Sequence, residues 1–256
     1  EKFSKTNIKI KKTGIEHGTI TLILENESFE ITTLREDIST DGRHAKVSFT
    51  KDWKKDSDRR DFTINAIYLD SKGKILDPQM GLKDLKNKKV NFIGNPDLRI
   101  KEDYLRILRY LRFSLEYENF EPNDTNLKAI KLNLNGITKL SKERIYNELK
   151  KIIKLENFQN ILRSSFLLHI FKLIFPEFKY IDRLKNLSNF KNINNIELDE
   201  NFILSTMLID LSDNHEYFSH KYNISNETKN CINLYSKLFA NIASNKNFFT
   251  KDLNKN

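Results

Sequence analysis

Residues 102–113 read EDYLRILRYLRF, and this stretch decides how the rest of the chain is interpreted. Asp103, Arg106 and Arg109 recur every three residues, so on a helix they share one face, while the leucines turn towards the other. An aspartate offers only acceptors, and an arginine offers only donors in a planar fork. The pattern therefore predicts a helix with one apolar face and one face of carboxylate and guanidinium groups.

The Asp103 and Arg106 pair has the chemistry to read a nucleobase. A base edge with an amino donor beside a ring-nitrogen acceptor satisfies both side chains, and cytosine and adenine have that edge. Guanine and uracil present a ring N–H at the central position and oppose the arginine donor. A site whose buried polar groups stay unpaired with the wrong ligand discriminates by several orders of magnitude. The alternative is a surface helix on which Glu102 and Asp103 form ordinary ion pairs with Arg106.

Residues 58–65 read DRRDFTIN and carry a second group of polar side chains. Arg59 and Arg60 supply fork donors suited to triphosphate oxygens, and Asp61 has the acceptors for a ribose hydroxyl. Asn65 lies four residues further on, where it either braces Asp61 or meets the sugar. Taken alone, this motif equally describes a capped helix start with solvated charges.

In their order and spacing, residues 14 to about 155 resemble the class II tRNA nucleotidyltransferases, which are the CCA-adding enzymes and bacterial poly(A) polymerases. In that family the aspartate of the RRD motif reads the ribose and the second arginine contacts the nucleotide, which implies these roles for Asp61 and Arg60. The resemblance also implies that residues 102–113 read and support the incoming base. The nucleotide-binding residues expected on these grounds are Arg59, Arg60, Asp61, Asn65, Glu102, Asp103, Arg106, Arg109 and Arg112. For Arg112, the alternative is the solvated end of the arginine stripe.

Further stretches resemble elements of the family in the same order. These elements are two sheet strands, a flexible loop that accompanies the change from C to A, the turn after the RRD motif, and a later helix. They correspond to residues 17–21, 29–35, 37–47, 75–85 and 141–149. Ser141 is the expected N-cap of the later helix. Specialised CC-adding relatives shorten the loop, so residues 37–47 favour the ability to add A.

The family's metal-binding element has no counterpart near the start of this chain. An Asp-x-Asp strand after a glycine loop holds two Mg²⁺ ions in the family, and such ions stabilise the attacking and leaving oxygens. The Asp-x-Asp at residues 56–58 has no glycine loop or hydrophobic strand before it, so we interpret it as a solvated helix lead-in. Glu30 is the candidate third catalytic carboxylate, or it pairs with a basic neighbour such as Arg35. We expect no metal ligands in this chain, Mg²⁺ bound through residues missing from it, and little or no activity from the fragment alone.

Composition limits the class of protein and its partners. The chain has 256 residues and a net charge of +9, which favours a polyanionic partner. The single Cys231 excludes an internal disulfide and fits a reducing compartment. No apolar run is long enough to cross a membrane. His215 and His220 are interpreted as surface residues rather than metal ligands.

These observations predict an α+β fold in three parts. Residues 1–95 are expected to form a polymerase β-like, mixed-sheet nucleotidyltransferase head that lacks its first strand. Residues 96–165 are expected to form a helical neck that carries the base-reading helix. Residues 166–256 are expected to form a helical body that binds RNA. All seven glycines lie between Gly14 and Gly136, which favours a turn-rich head before a helical region. The phenylalanine-rich residues 161–178 are predicted to be bundle core rather than base-stacking groups.

The resemblance implies template-independent addition of CCA to the 3′ end of tRNA, with CTP and ATP as substrates. The alternatives are a poly(A) polymerase and a non-catalytic RNA-binding remnant. The expected partners are tRNA, ATP and CTP, without a membrane. The expected location is a bacterial cytoplasm, with a mitochondrion as the alternative, and the sequence does not predict the oligomeric state.

Overall fold

The structure, a computed structural model, describes residues 9–15, 18–25, 27–40, 45–117, 123–187 and 199–245. Packing divides the chain into two compact units, one of residues 1–103 with 123–130 and the other of residues 104–122 with 131–256. His17 and residues 41–44, at the centre of the expected flexible loop, lie outside the described residues.

The described residues of the first unit form three small antiparallel sheets. Its strands are β1 (Lys9–Gly14), β2 (Thr19–Leu24), β3 (Glu27–Thr32), β4 (Arg35–Thr40), β5 (Ala45–Phe49), β6 (Tyr68–Leu69) and β7 (Ile75–Leu76). Sheet order is β1-β2-β3, while β4 pairs with β5 and β6 with β7. The strand pattern expected around residues 17–21 and 29–35 is confirmed, but the second stretch is divided. Strand β3 ends at Thr32 and a new strand begins at Arg35, because Arg35 pairs with Phe49 of β5.

Short helices lie between and after these strands in the first unit. They are α1 (Trp53–Asp58), α2 (Gly81–Lys86), α3 (Pro96–Glu102) and a 3₁₀ turn at Thr63–Asn65. Helix α3 begins where Asn95 accepts a hydrogen bond from the Leu98 amide at 3.2 Å, with Pro96 in its first turn. Phe62, Val90 and Ile100 are fully buried at the centre of this unit.

The second unit is helical throughout its described residues, as predicted. Its α-helices are α4 (Leu105–Tyr117), the end of α5 (Asp124–Asn133), α6 (Lys142–Ile153), α7 (Ser165–Ile174), α8 (Glu200–Leu208), α9 (Asn214–Tyr222) and α10 (Asn226–Ser244). Three 3₁₀ segments join them at Leu134–Lys139, Phe158–Arg163 and Ile181–Asn186. Within the described ranges, no helix has both the length and the apolar character that a membrane crossing requires.

Aromatic side chains fill the centre of the second unit. Phe171 and Phe175 are 0% exposed and Phe178 is 1% exposed, with ring centroids 5.0 to 5.5 Å apart. The prediction that this phenylalanine-rich stretch is core is confirmed. Burying each such side chain contributes about 2–3 kcal/mol, so the cluster is a principal source of stability for the unit.

The surface interpretation of His215 is wrong, whereas that of His220 is confirmed. His215 is 7% exposed because it lies on the same face of α9 as Phe218 and Tyr222, which are both buried. His220 lies on the other face and is exposed.

Candidate functional site

The RRD segment follows the end of a helix rather than starting one. Helix α1 ends at Asp58, and the extended residue Phe62 pairs with Phe92 of a second segment before the 3₁₀ turn begins. The Thr63 amide donates to the Asn91 carbonyl at 3.0 Å, and the Ile93 amide donates to the Asp61 carbonyl at 3.0 Å. This antiparallel pairing fixes the direction of the backbone through the motif.

Asp56 organises the arginines of the motif. Its Oδ1 accepts from Arg59 Nη2 at 2.7 Å and from the Arg35 amide at 3.1 Å, while its Oδ2 accepts from Arg60 Nε at 3.1 Å and from the Tyr68 hydroxyl at 2.8 Å. The side chain is 1% exposed. The interpretation of residues 56–58 as solvated is therefore wrong for Asp56 and correct only for the exposed Asp58. A buried carboxylate needs such partners, since an unpaired buried charge is costly.

The hydrogen-bond network shifts several ionisation equilibria. Burial opposes ionisation of Asp56, but the hydrogen bonds from Arg59, the Arg35 amide and Tyr68 outweigh it and hold its pKa below the ordinary value. Burial, together with the hydrogen bond to Asp56, raises the pKa of Tyr68 to about 12. Burial and the neighbouring Arg59 lower the pKa of Arg35. Asp56 is thus the anionic centre of a cluster of three guanidinium groups.

The two arginines of the motif have different surroundings. The Arg59 side chain is 17% exposed, and its Nε also donates to the Arg35 carbonyl at 3.1 Å. The Arg60 side chain is 36% exposed, with Nη1 donating to the Asn65 carbonyl at 3.0 Å and the guanidinium 5.0 Å from the Tyr68 ring centre. Arg60 is therefore the more accessible cation of the pair.

Asp61 is held beside Arg60 by its neighbours in the chain. Its Oδ1 accepts from Asn65 Nδ2 at 2.9 Å and from the Phe62 amide at 3.0 Å. Of the two contacts considered for Asn65, the brace to Asp61 is the one present. Asp61 is 9% exposed. The geometry brings Arg60, Asp61 and Asn65 together within one turn of chain.

Helix α2 supports this turn from behind. A Cβ atom at Gly81 would lie 2.2 Å from the Thr63 carbonyl oxygen, so only glycine permits this approach. Thr63 Oγ1 donates to Asp84 Oδ2 at 2.7 Å. Asp77, in the stretch expected to form the turn after the motif, accepts from the Gly81 amide at 2.7 Å and so caps α2.

Glu102 and Asp103 belong to the first unit and lie at the end of α3. Glu102 Oε2 accepts from Arg99 Nη1 at 2.5 Å. Asp103 is the C-cap of α3 in an extended conformation, with φ −153° and ψ 107°. Asp103 is therefore not on the helix that carries Arg106 and Arg109, and the expectation of one shared helical face is wrong for it. The reason is a break in the helix between Glu102 and Leu105.

Helix α4 of the second unit carries Arg106, Arg109 and Arg112. Leu108 and Leu111 on its other face are fully buried, as the apolar period predicts. The Arg109 guanidinium lies 5.4 Å from the Phe113 ring centre.

Arg112 makes an internal ion pair. Its Nε donates to Glu148 Oε1 at 2.6 Å, and the two side chains are 14% and 3% exposed. Glu148 lies on α6, whose predicted N-cap Ser141 is confirmed by a 3.4 Å bond from the Arg144 amide.

The described residues do not fit a divalent cation. Glu30 is exposed on β3, opposite Thr21 of β2. Across the described parts of the chain, no three His, Cys, Asp or Glu side chains come together as a metal site would require. Nucleotidyltransferases of this type generally use divalent metal ions.

Two family models match the chain. The model described as "Poly A polymerase head domain" matches residues 1–91, and the model described as "Probable RNA and SrmB- binding site of polymerase A" matches residues 119–181. Together they match more than half of the chain. The chain belongs to the class II tRNA nucleotidyltransferase and poly(A) polymerase family.

Curated relatives support this family membership. The chain is 52% identical over 157 residues to "CCA tRNA nucleotidyltransferase 1, mitochondrial" of Homo sapiens, which is 60% of this chain and 36% of that protein. It is 42% identical over 149 residues to the "CCA-adding enzyme" of Streptococcus uberis, which is 57% of this chain and 36% of that protein. The chain thus spans about a third of the length of the curated relatives it matches.

Solved structures of the family share the fold. The Bacillus stearothermophilus CCA-adding enzyme in complex with CTP aligns with a TM-score of 0.69 at 22% identity, covering 92% of this chain and 57% of that one. A structure described as "tRNA-processing enzyme complex 3" aligns with a TM-score of 0.71 at 21% identity, covering 93% and 65%. The α+β class with a nucleotidyltransferase head and helical remainder is confirmed.

The sequence motifs did not identify three residues that form ion pairs with motif residues, namely Asp56, Arg99 and Glu148. For Asp56 the signal was present, since Arg59 and Arg60 lie three and four residues after it on a helix. For Arg99 the contacts reach back 39 and 40 residues, and for Glu148 they reach back 36. No local pattern marks such distant partners.

Proposed function

We propose that this chain carries the nucleotide- and RNA-binding parts of an enzyme that adds C, C and A to the 3′ end of tRNA from CTP and ATP, with release of pyrophosphate. The observation that carries the proposal is the turn that holds Arg60, Asp61 and Asn65 together, at the motif that the family uses for the nucleotide. The 52% identity to the human relative named as a CCA tRNA nucleotidyltransferase supports it.

Each part of a nucleotide has a candidate partner in the chain. Arg60 is partly exposed and offers a cationic fork to the triphosphate, and Asp61, braced by Asn65, accepts from the ribose 2′-hydroxyl. We assign Asp103 and Arg106 to the base edge, with Arg109 in support. Arg59, Glu102 and Arg112 are assigned to holding these groups, because each is engaged in an ion pair and is less exposed than Arg60, which also pairs with Asp56. We retain Glu30 as the candidate third catalytic carboxylate.

The same proposal also covers the domain organisation and the cellular location. We divide the chain into a head at residues 1–95, a neck at 96–165 and an RNA-binding body at 166–256. The curated relatives include vertebrate mitochondrial and bacterial proteins, so a bacterial cytoplasm stays a prediction.

Poly(A) polymerase is the second candidate, because both matching family models take their descriptions from that activity. The two activities share the chemistry of each addition and differ in the nucleotide chosen and the number added.

Nucleotide incorporation into a tRNA transcript without its CCA end tests the proposal. The assay contains Mg²⁺ and each nucleotide separately and together, with this chain and with a chimaera that places the family's Asp-x-Asp strand before Glu1. Two Cs followed by one A supports CCA addition. A long A tail supports poly(A) polymerase, and tRNA binding without incorporation by either protein supports a non-catalytic binder.

Two variants of an active protein assign the nucleotide contacts. Arg106→Ala removes the donor fork of the base site, so C and A should lose their advantage over G and U while tRNA affinity changes little. Asp61→Ala removes the sugar acceptor, so CTP should lose its advantage over dCTP. Unchanged preferences in either variant would remove that residue from its assigned role.

A further inference from the structure

We propose that Arg99 is a positioning residue that holds the backbone of the Arg59–Arg60 turn and thereby sets the discrimination between ribose and deoxyribose. The inference rests on the proposed function, because it concerns the same nucleotide site. It assigns to Arg99 a role that neither the RRD motif nor the EDYLRILRYLRF motif contains.

Arg99 contacts the RRD motif although it lies about 40 residues further along the chain. Its Nη2 donates to the carbonyl oxygen of Arg59 at 2.6 Å and also to the carbonyl oxygen of Arg60. Its Nη1 donates to Glu102 Oε2 at 2.5 Å. The Arg99 side chain is only 12% exposed, so these bonds are largely shielded from water. One planar group therefore connects two consecutive carbonyls and a carboxylate.

The carbonyls of Arg59 and Arg60 need such a donor. Arg59 is the C-cap of α1, and the last carbonyls of a helix have no partner within the helix. A cation at this end also complements the helix dipole. Arg99 supplies both, and its guanidinium is rigid enough to keep the two carbonyls in one orientation.

The orientation of these carbonyls determines the nucleotide contacts. The peptide plane that contains the Arg60 carbonyl is the one that leads into Asp61, and a peptide group is rigid. Rotation of that plane moves the Asp61 carboxylate away from its braced position beside Asn65. The sugar contact of Asp61 thus depends on a side chain that need not touch the nucleotide.

Glu102 acts on the same group rather than on the base. Its carboxylate fixes the guanidinium plane of Arg99 from the opposite side, and the charge-assisted bond is geometrically specific. Removal of the Glu102 charge should therefore have the same effect as removal of the Arg99 guanidinium, but a smaller one.

Binding of CTP and dCTP to the full chain tests the inference, with Arg99→Met, Arg99→Lys and Glu102→Gln as variants. The matched control is Lys101→Met, since Lys101 is exposed on the same helix and pairs only with Asp97 among the described residues. We expect Arg99→Met to lower the ratio of CTP to dCTP affinity by about tenfold, because the hydrogen bond from the 2′-hydroxyl to Asp61 would be lost and one such bond corresponds to about that factor. Arg99→Lys should not restore the ratio, since one ammonium group cannot span both carbonyls and the carboxylate. Lys101→Met should keep it.

The ratio separates positioning from simple loss of structure. A variant that is partly unfolded has fewer binding sites, but each remaining site keeps the parent ratio. If folded Arg99→Met keeps the parent ratio of CTP to dCTP affinity, the inference is overturned. If Arg99→Lys keeps the parent ratio, the positive charge of Arg99 matters and the shape of its guanidinium does not.

Amide hydrogen exchange separates failure of this inference from failure of the proposed function. In Arg99→Met the amides of Arg60 and Phe62 should exchange faster, while those of β2 in the same unit keep the parent rate. If the parent chain binds neither CTP nor dCTP, the nucleotide assignment fails, and faster exchange confined to the turn still supports positioning by Arg99. Unchanged exchange at the turn overturns the inference whatever the nucleotide result.

Discussion

At the scale of single residues, the site depends on a buried anion that the motif does not contain. Asp56 joins a backbone amide, two guanidinium groups and a phenol from four separate positions in the chain. Removal of one partner of a buried ion pair leaves the others uncompensated and is strongly destabilising. Asp56 is therefore the residue whose substitution is expected to damage the first unit most.

Asp56→Asn should lower the free energy of unfolding by about 3 kcal/mol near neutral pH. Because the folded pKa of Asp56 lies below the ordinary value of 3.8, its stabilisation is fully present above that value and is lost as the pH falls through the folded pKa. Urea unfolding of the parent and the variant at pH 7 and pH 3 measures the difference, which should shrink in acid. Asp58→Asn is the control, as Asp58 is exposed and pairs with Lys54.

Two outcomes would contradict this prediction for Asp56. If Asp56→Asn and Asp58→Asn change stability equally, the buried carboxylate is not the centre of the cluster. If the difference between the parent and Asp56→Asn is as large at pH 3 as at pH 7, the stabilisation does not depend on the ionised form.

The Arg112 and Glu148 pair is expected to stabilise the second unit rather than to bind phosphate. Arg112→Met and Glu148→Gln should each cost about 3 kcal/mol, and the double variant should cost less than their sum, because one interaction is lost in all three. A double-mutant cycle by urea unfolding measures this coupling. Lys151→Met should change stability by less than about 0.5 kcal/mol, as Lys151 is exposed and 3.5 Å from Glu148. A variant of Arg112 with parent stability and weaker nucleotide binding would contradict the assignment.

At the scale of elements, close backbone approaches determine where the helices begin. A Cβ atom at Gly136 would lie 2.0 Å from the Tyr104 ring, and Tyr104 precedes the first residue of α4. The Lys139 ammonium lies 5.4 Å from the centre of the same ring. The turn at residues 134–139 thus holds the start of the helix that carries Arg106.

Gly136→Ala should displace Tyr104 and destabilise the second unit by about 2 kcal/mol, since overpacking of a close contact forces the backbone to shift. Gly14→Ala is the control, because a Cβ atom there would meet Thr19 Cβ at an ordinary 3.4 Å. Thermal unfolding of both variants measures the effect. Equal melting temperatures for the two would show that the Tyr104 contact yields without cost.

At the scale of the whole molecule, the net charge of +9 governs association with a polyanion. Lysine contacts to phosphates release bound cations, so affinity for RNA falls as salt rises. The net charge does not distinguish tRNA from another RNA. The expectation that the RNA is a tRNA comes from the family membership.

The logarithm of tRNA affinity should fall with the logarithm of salt concentration with a slope of about −3 or steeper, if about four phosphates are contacted. Filter binding of the full chain to a tRNA transcript at several salt concentrations measures the slope. Lys101→Met should change the slope little, because the Lys101 ammonium is already paired with Asp97. A slope near zero would exclude binding through the phosphate backbone.

Much of the local structure followed from the sequence, because period and capping act over a few residues. Apolar spacing identified the buried side of α4, Ser141 marked the start of α6, and the phenylalanine-rich stretch was correctly assigned to the core. The order of the motifs identified the family and its α+β class, since several weak patterns at the right spacing are jointly specific.

Only the tertiary structure shows which polar groups are paired within the protein and which are buried. The sequence did not distinguish Arg59 from Arg60, whereas in the structure both pair with Asp56 and Arg59 is the more buried of the two. Asp56 and His215 looked solvated and are buried, and Asp103 looked helical and is extended. The physical reason is that burial and long-range partners depend on which distant segments meet, and no local period records the 40 residues between Arg99 and the carbonyl that it holds.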